Sequence, residues 1–462
     1  MTIRPIPPAV REAPFPHDPG FPELPVASDP ERMRELLRTR LTPAPGKSWG
    51  IGACTPTRFR CRQSGARCVL QYEFRLTGPG AADRKQWVTG VLYEERGRAE
   101  RLWWELQRSH PRRGIPDEWL TFEPVAFIPE LNMLVQVFPW DRKLPTLRRI
   151  LRGDLQEFEP LLLGRPGRGG GIVAARRIEP ARYRTELGAT LEYTVRTAEP
   201  SPRRCYLKVY RNDRGRDSYR LLRSLARRAH RLKAPFSVVH PVLYLSGLRT
   251  LVLEPAPGIS LQQALLRGDD PADAVRPVAH AVAAFNRGTV PLARRHSLTS
   301  QLEDVRRAAT LVQWACPQTA ADVGAITADL VAGLQEVPDA AIHRDLKTDH
   351  VFLADGRVIF IDLDSVALGD PVRDPAHLWA HLAGRIGLAG LVPERANAAA
   401  AAFAEEYFAL VPAAWRERFP MHCAGALIEV AGGVFKRQEQ GWRETIPQLV
   451  ERAARAVGGI LE

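Results

Sequence analysis

Three aspartates flank a short apolar hairpin in the C-terminal half of the chain. Asp345 lies in IHRDLKTDH, before the hairpin VFLADGRVIF, and Asp362 and Asp364 lie in IDLDS, directly after it. Asp355-Gly356 is a turn dipeptide between the two apolar strands, so the acids are predicted to converge at the strand ends. Phosphoryl transfer suits this arrangement, because one carboxylate must orient and deprotonate an acceptor hydroxyl while others hold Mg²⁺ on the phosphates.

The two acidic segments also carry motifs. HRDLKTDH resembles the His-x-Asp-x-x-x-x-Asn catalytic loop of protein kinases and of the aminoglycoside/choline phosphotransferase family. A protein kinase continues with Asp-Phe-Gly and a long activation segment ending in Ala-Pro-Glu, whereas this chain passes from IDLDS directly to LGDPVRDPAHL. The latter resembles the Gly-Asp-Pro-x-x-Asp-Leu motif of aminoglycoside phosphotransferases. The resemblance to this family covers about residues 172–462.

This resemblance implies a role for each matching residue of the two motifs. Asp345 would be the catalytic base, and His343 would support catalysis by bracing the loop backbone. Asp362 would be the principal magnesium ligand. Asp364 would assist the metal, although a solvated acid at a strand end is an equally good interpretation. Asp374 would be a structural carboxylate that ties the loop.

The resemblance also implies a nucleotide site for ATP or GTP with Mg²⁺, Mn²⁺ being possible. Lys208 in CYLKVY matches the strand lysine that pairs with nucleotide phosphates, and it is one of only seven lysines in the chain. A lysine in an apolar strand needs a partner because burying an unpaired ammonium costs several kcal/mol; a surface lysine on an edge strand is the alternative. LVLEPAPGISL matches the hinge, where Glu254 and Ala256 would present backbone groups to the base. Gly188 would belong to the loop that covers the phosphates.

Three features depart from the family pattern. His350 stands where the family usually has Asn, and because Mg²⁺ prefers oxygen, this imidazole would hydrogen-bond Asp345, leave a single-metal site or favour a different metal. The helix predicted after Lys208 offers Asp213 and Asp217 but no obvious glutamate to pair with the lysine. RTELGATLEY contains one glycine, Gly188, so any phosphate-covering loop is minimal.

An internal repeat organises the chain before residue 270. PVAFIPELNMLV (124–135) aligns without gaps on PVLYLSGLRTLV (241–252) at an offset of 117 residues, and the surrounding segments follow in the same order. Each copy predicts strand, turn, strand, strand, helix, strand, strand, helix, although chance similarity of two small units is possible. The counterpart of Lys208 is Gly90 or Val91, and neither can pair with phosphate. The first copy therefore predicts a noncatalytic cap or docking domain.

These observations predict an α+β protein, a bilobal protein-kinase-like fold with an extra N-terminal small-lobe-like α+β domain. Beyond Asp270 long Ala/Leu-rich segments have apolar residues at helical spacing, which predicts a mainly helical lobe. The predicted domains are a Pro-rich loose arm (1–50), a degenerate small-lobe repeat (51–163), a Gly-rich linker (164–171), a nucleotide-binding small lobe (172–269) and a large lobe with the catalytic loop and substrate site (270–462).

Composition limits the partners. The formal net charge is +13, but arginine doublets are spread along the chain among acids, so no polyanion-binding face is predicted and no nucleic acid is expected. The chain contains no run of about 18 apolar residues, so no membrane span is predicted.

The cysteines do not form a metal site. Cys54, Cys61 and Cys68 are separated by six intervening residues, unlike zinc-site spacings, and the other three cysteines are isolated. Reduced thiols and a cytoplasmic protein are therefore expected.

Three functional hypotheses follow. The first is a kinase whose partner is a small-molecule hydroxyl acceptor, such as a sugar, amino sugar or amino alcohol, bound against the helices after Asp270 and Asp374. The second is a pseudokinase or regulatory nucleotide-binding module without turnover, which His350, the missing glutamate and the duplicated lobe favour. The third is a protein kinase, which rests on the string HRDLK alone. The sequence fixes neither the acceptor nor the oligomeric state.

Overall fold

The computed structural model describes residues 15–62, 66–78, 84–155, 158–159, 173–197, 200–288, 290 and 292–461. The chain divides into two compact units. The first comprises Met1–Arg152 and Lys436–Gln438, and the second comprises Gly153–Phe435 and Glu439–Glu462.

The first unit is built on a five-stranded antiparallel sheet with the strand order β1-β2-β3-β5-β4. An amphipathic helix, α3, covers one face of this sheet, where its Ala99 and Leu106 join a hydrophobic cluster with Trp140. The elements are α1 (Leu24–Ser28), α2 (Pro30–Arg40), β1 (Gly50–Arg62), β2 (Arg67–Thr77), β3 (Lys85–Tyr93), α3 (Arg98–Arg108), β4 (Val125–Ile128), β5 (Met133–Val137) and α4 (Thr146–Leu151).

The prediction of a loose arm over residues 1–50 is wrong for residues 15–50, which include α1 and α2. Asp29 caps α2 by accepting hydrogen bonds from two backbone N–H groups of its first turn, and Pro30 occupies the first turn, where no N–H is needed. Met33 and Leu37 are fully buried. The frequent prolines thus begin helices here instead of preventing them. Residues 1–14 lie outside the described residues.

The second unit begins with another five-stranded antiparallel sheet, and its order is β6-β7-β8-β11-β10. Helix α5 connects the third strand to the last two, as α3 does in the first unit. The elements are β6 (Ala175–Arg184), β7 (Gly188–Arg196), β8 (Arg203–Tyr210), α5 (Arg214–Arg231), β9 (Phe236–Val238), β10 (Pro241–Leu245), β11 (Thr250–Leu253), β12 (Ile259–Ser260) and α6 (Leu261–Arg267).

The two sheets confirm the repeat, since they share one strand order and one connection pattern. Their register also identifies the counterpart of Lys208. Lys208 lies opposite Leu251, and Val91 lies opposite Leu134, which aligns with Leu251 at the offset of 117 residues. Val91, and not Gly90, is therefore the counterpart. It is fully buried in the hydrophobic cluster of the first unit.

The remainder of the second unit is mainly helical, as predicted. A four-stranded sheet, ordered β12-β14-β15-β9, and a two-stranded sheet, β13-β16, lie among its helices. Within the described residues no helix has the length and apolar character needed to cross a membrane. The elements are α7 (Pro271–Arg287), α8 (Leu298–Ala315), α9 (Ala320–Gly333), β13 (Ala340–Ile342), β14 (Val351–Ala354), β15 (Arg357–Phe360), β16 (Ala367–Gly369), α10 (Arg373–Ala383), α11 (Pro393–Ala409), α12 (Ala413–Lys436) and α13 (Trp442–Val457).

The boundary between the units falls earlier than predicted. Residues 153–155, 158 and 159 belong to the second unit, where the Glu159 carboxylate accepts two hydrogen bonds, of 2.6 and 2.7 Å, from the Arg176 guanidinium. The Phe158 ring packs against Tyr193 with centroids 5.5 Å apart. The predicted boundary after residue 163 is therefore wrong. The predicted linker, residues 164–171, lies outside the described residues.

One pair of cysteines contradicts the expectation of reduced thiols. Cys61 and Cys68 form a disulfide between directly opposed positions of β1 and β2, where antiparallel pairing places their Cα atoms 4.2 Å apart. Four cysteines are free and buried, as expected: Cys54, Cys205, Cys316 and Cys423. Because of the disulfide, thiol usage no longer supports a reducing compartment, and the cytoplasmic location stays a prediction.

Candidate active site

Asp374 fixes the catalytic loop, as predicted. Its carboxylate is almost fully buried and accepts hydrogen bonds from the backbone N–H groups of His343 (2.7 Å) and Arg344 (2.9 Å). Asn286 of α7 donates a third, at 3.0 Å, and a further one to the carbonyl oxygen of Ala341. The sequence analysis missed Asn286, although an amide in the apolar run AVAAFN was a signal.

His343 braces the same loop from inside. Its Nε2 donates to the carbonyl oxygen of Ile361 at 3.0 Å, which leaves Nδ1 to accept from the backbone N–H of Asp345 at 3.4 Å. Arg344, between them, has a left-handed backbone with φ +70°. This conformation turns the chain so that His343 is buried while the Asp345 side chain stays 42% exposed. Asp345 is thus accessible to a substrate.

Lys208 meets both acids of the second motif. Its Nζ lies 2.6 Å from Oδ1 of Asp362 and 2.9 Å from Oδ2 of Asp364. The other oxygen of Asp364 accepts hydrogen bonds from the hydroxyls of Tyr210 and of Ser218 on α5, each at 2.9 Å. Asp364 therefore pairs with Lys208 in place of a glutamate on α5, and Ser218 links that helix to Asp364.

The charges of Lys208, Asp362 and Asp364 stabilise one another. Burial lowers the pKa of the Lys208 ammonium, but Tyr210 and the two carboxylates outweigh burial and hold that pKa above its ordinary value. Burial raises the pKa of the Asp362 carboxyl, but Lys208 and His350 outweigh it and hold that pKa well below its usual range. Both groups are therefore charged throughout the neutral pH range.

Three side chains could hold a divalent cation together: ligand atoms of Asp345, His350 and Asp362 lie within 4.8 Å of one another. His350 donates from Nδ1 to the carbonyl oxygen of Asp345 at 2.8 Å, so its Nε2 keeps a lone pair, 3.6 Å from Oδ2 of Asp362. Burial, reinforced by Lys347, lowers the pKa of His350 to about 4, so the ring is neutral at pH 7. Two carboxylates and an imidazole nitrogen fit a divalent cation that accepts mixed ligands, such as Mn²⁺.

Asp364 does not belong to this cluster, which corrects the predicted set of metal ligands. Its oxygens are engaged by three donors at 2.9 Å: Lys208, Tyr210 and Ser218. Asp345, predicted only as the base, joins Asp362 and His350 instead. The tight turn explains the difference, since the 3₁₀ segment Leu363–Ser365 directs Asp364 toward β8 and α5.

A cavity of about 420 Å³ adjoins these residues, within the range of ligand pockets. Lys208, Gly188, Glu254, Ala256, Asp362, Asp364 and His350 all line it, so the predicted nucleotide and metal residues are brought together. Its apolar lining comprises Leu187, Ala189, Val209, Val239, Leu253, Phe352 and Ile361. Asp345 and His343 do not line the cavity, but Asp345 lies within 4.8 Å of the lining residues His350 and Asp362, and His343 bonds the backbone of Ile361, which also lines it.

The predicted hinge and glycine residues have structural roles in this cavity. Glu254 is half-exposed and faces His240, with Oε1 and Nδ1 3.2 Å apart. A Cβ at Gly188 would approach the carbonyl oxygen of Val209 to 2.8 Å, so this glycine permits close strand pairing. Arg182 and Arg184 of β6 also line the cavity. Arg182 and Arg184 were not predicted as site residues, although the alternation Arg-Tyr-Arg in a strand places both arginines on one face.

Comparison with known proteins agrees with this geometry. The phosphotransferase enzyme family model matches residues 181–417, slightly more than half of the 462-residue chain. No curated protein sequence matches the chain.

Several solved structures are similar at low identity. A choline kinase from Streptococcus pneumoniae is 14% identical, with a TM-score of 0.43, over 68% of this chain and 100% of that chain. A choline/ethanolamine kinase family protein from Mesorhizobium loti is 14% identical, with a TM-score of 0.39, over 65% and 94% of the two chains. The gentamicin complex of APH(2″)-IIa is 13% identical, with a TM-score of 0.41, over 66% and 98%.

The assignment rests on the family match and on the site. The match covers both motif segments, and the structure places Asp362 and Lys208 on the wall of one cavity, with Asp345 within 4.8 Å of Asp362. The chain therefore belongs to the phosphotransferase enzyme family and has a protein-kinase-like fold.

Proposed function

We propose that the second unit transfers the γ-phosphoryl group of ATP, or of GTP, to a hydroxyl of a small molecule such as a sugar, amino sugar or amino alcohol. The observation that carries this proposal is the 2.6 Å ion pair between Lys208 and Asp362 on the wall of the cavity, with Asp345 beside it. Phosphoryl transfer depends mainly on positioning and on stabilising charge. An ammonium for the phosphates, an acid for the metal and a base for the acceptor meet in one place.

Each polar side chain has a proposed task. Lys208 binds nucleotide phosphates, and Asp364 keeps the ammonium in position through its link to Ser218 of α5. Asp345 accepts the proton of the acceptor hydroxyl as that oxygen attacks the γ-phosphorus and the bond to the leaving nucleoside diphosphate breaks. His343 and Asp374 position the loop that carries Asp345.

The purine is proposed to lie in the apolar part of the cavity. The segment from Glu254 to Ala256 follows β11 at its edge, where backbone groups can reach the base. Gly258 follows with φ +79°, and a Cβ there would overlap the carbonyl oxygen of Leu353, so glycine is required at this turn. Backbone recognition of this kind is compatible with either purine nucleotide.

The proposed metal ligands are His350, Asp362 and one carboxylate oxygen of Asp345, whose other oxygen is the proposed base. A bound divalent ion supplies positive charge to the phosphate oxygens. Because His350 offers a nitrogen and Mg²⁺ prefers oxygen, we expect Mn²⁺ to support activity at least as well as Mg²⁺.

A nucleotide-consumption screen tests the proposal. Sugars, amino sugars and amino alcohols are incubated with the protein, ATP or GTP, and Mg²⁺ or Mn²⁺, and nucleoside diphosphate is measured. Asp345→Asn should abolish turnover with any acceptor that scores. Asp355→Asn, an exposed hairpin-turn change that keeps a residue tolerant of φ +47°, should not. Turnover that survives Asp345→Asn would refute the proposed base.

A regulatory module that binds nucleotide without turnover is the second candidate. The observation that favours it is His350 at the position where the family usually has Asn. Nucleotide binding with neither transfer nor slow hydrolysis, for every acceptor class and both metals, would support this candidate over the kinase.

We propose that the first unit is noncatalytic. Its counterpart of Lys208 is Val91, which is buried in an apolar cluster with Leu134 and Trp140. The position that would face a nucleotide is therefore filled by packed side chains, and no ammonium is available there.

A further inference from the structure

Two arginines at the end of β6 face the nucleotide cavity. Arg182 and Arg184 alternate with Tyr183, which is 5% exposed and points into the lobe, so the arginines project from the opposite face. Across the sheet, Arg182 pairs with Thr190 and Thr190 pairs with Lys208. The three side chains form one row on one face, which places Arg182 on the same side as the lysine.

The two arginines have different acidic neighbours. The Arg182 guanidinium lies 3.7 Å from Oδ2 of Asp362. Arg184 is influenced by both Asp362 and Asp345, but its guanidinium makes no hydrogen bond or ion pair within the described part of the chain. An arginine left without a partner beside two acids can accept an anionic ligand through its planar fork of donors.

The loop between β6 and β7 comprises only residues 185–187. Thr185 and Glu186 are almost fully buried, so this turn is packed against the lobe. Gly188, the first residue of β7, is needed for strand pairing against Val209. Arg182 and Arg184, at the end of β6 beside this loop, are cationic side chains on the cavity wall that can hold phosphate.

We infer that Arg182 and Arg184 form a clamp for the triphosphate, with Arg182 on the β-phosphate and Arg184 on the γ-phosphate. This inference rests on the proposed function. Arg182 lies 3.7 Å from Asp362, a proposed ligand of the ion that would supply positive charge to the phosphates. Arg184 lines the same cavity, and its charge interacts with Asp362 and with Asp345, the proposed base for the acceptor of the γ-phosphoryl group.

Calorimetric titration with adenosine, ADP and the non-hydrolysable analogue AMP-PNP, in the presence of Mn²⁺, tests the clamp. Arg184→Gln should weaken AMP-PNP binding about tenfold and leave ADP binding unchanged, because one charge-assisted contact is lost. Arg182→Gln should weaken both ADP and AMP-PNP about tenfold. Neither change should alter adenosine binding. Arg177→Gln, on the same strand but paired with Glu179 at the surface, is the matched control and should bind all three normally.

The outcomes separate this inference from the proposed function. If the unaltered protein binds AMP-PNP and both arginine variants bind it equally well, the clamp is refuted while the kinase proposal stands. An equal loss of adenosine affinity would also refute it, since that indicates a disturbed lobe. If the unaltered protein binds none of the three ligands, both proposals fail. Thermal unfolding midpoints equal to that of Arg177→Gln show that the variants are folded.

Discussion

Replacing Asp364 with asparagine should distinguish the role of Asp364 from that of Asp362, the other acid that contacts Lys208. Asp364 receives three donors at 2.9 Å, and its side chain is 27% exposed. Asparagine removes the charge and replaces one acceptor oxygen with an NH₂ donor that faces the donors of its neighbours. A hydrogen bond to a charged group contributes roughly 1.5–3 kcal/mol, and partial exposure screens the pair, so we expect the free energy of unfolding to fall by about 1–2 kcal/mol.

The same substitution should leave metal binding almost intact. Asp364 lies outside the cluster of Asp345, His350 and Asp362, so the dissociation constant for Mn²⁺ with AMP-PNP should change by less than about threefold. Asp362→Asn should weaken Mn²⁺ binding by roughly 10–100-fold, as loss of a ligand or its support does. Free Mn²⁺ is measured by its electron paramagnetic resonance signal. Asp355→Asn, at the hairpin turn, is the matched control for removing one carboxylate charge.

The turnover rate should depend on the hydrogen bond that links Asp364 to Ser218 of α5. With Asp364→Asn, Lys208 keeps one carboxylate partner, Asp362, and the contact through Ser218 is weakened, so kcat/KM should fall about tenfold, which corresponds to one contact of moderate strength. If Asp364→Asn instead weakens Mn²⁺ binding as much as Asp362→Asn does, Asp364 is a metal ligand. The assignment of the cluster from geometry would then be wrong.

Three further changes test other parts of the site. His350→Asn should shift metal preference from Mn²⁺ toward Mg²⁺ and remove the imidazole ¹⁴N coupling from the pulsed magnetic resonance spectrum of bound Mn²⁺; unchanged coupling would show that His350 is not a ligand. Asp374→Ala should lower the free energy of unfolding by roughly 3–5 kcal/mol in chemical denaturation, since three donors lose a buried acceptor; a loss under about 1 kcal/mol would contradict this. Burial raises the pKa of Asp370, but His422 and Arg418 outweigh it and hold that pKa below its ordinary value. The stabilisation from this depressed pKa is present above about pH 4 and is lost as the pH falls through the folded-state pKa. Asp370→Asn should therefore destabilise the protein by about 3 kcal/mol at pH 7 and flatten the acid limb of its stability profile, whereas an unchanged acid limb would assign acid unfolding to other groups.

The residues of the two motifs could be predicted because their chemistry is local in sequence. His343, Asp345 and His350 lie within eight residues, and Asp362 follows one hairpin later. The hairpin turn at Asp355-Gly356 was also predictable from its dipeptide. Local spacing thus determined which groups meet around the catalytic loop.

Other members of the site depend on contacts that spacing cannot show. Ser218 reaches Asp364 across 146 residues, and Asn286 reaches Asp374 across 88. Neither belongs to a motif, and each matters only because packing brings two elements together. The pairing of Cys61 with Cys68 escaped prediction for the same reason, since strand register decides which cysteines are opposite.

The comparison of the two sheets shows why one copy carries a site. Lys208 and Val91 occupy the same register position on the same strand topology, so the backbone alone does not make the proposed nucleotide site. An ammonium is stable on this face of β8 because Asp362 and Asp364, which come from a segment about 150 residues later, supply two carboxylates within 2.9 Å. In the first copy the sequence passes from α4 into the next repeat without a counterpart of the IHRDLKTDH or IDLDS motif. A lysine there would lack its partners, and an apolar side chain within the hydrophobic cluster of the first unit is the stable alternative.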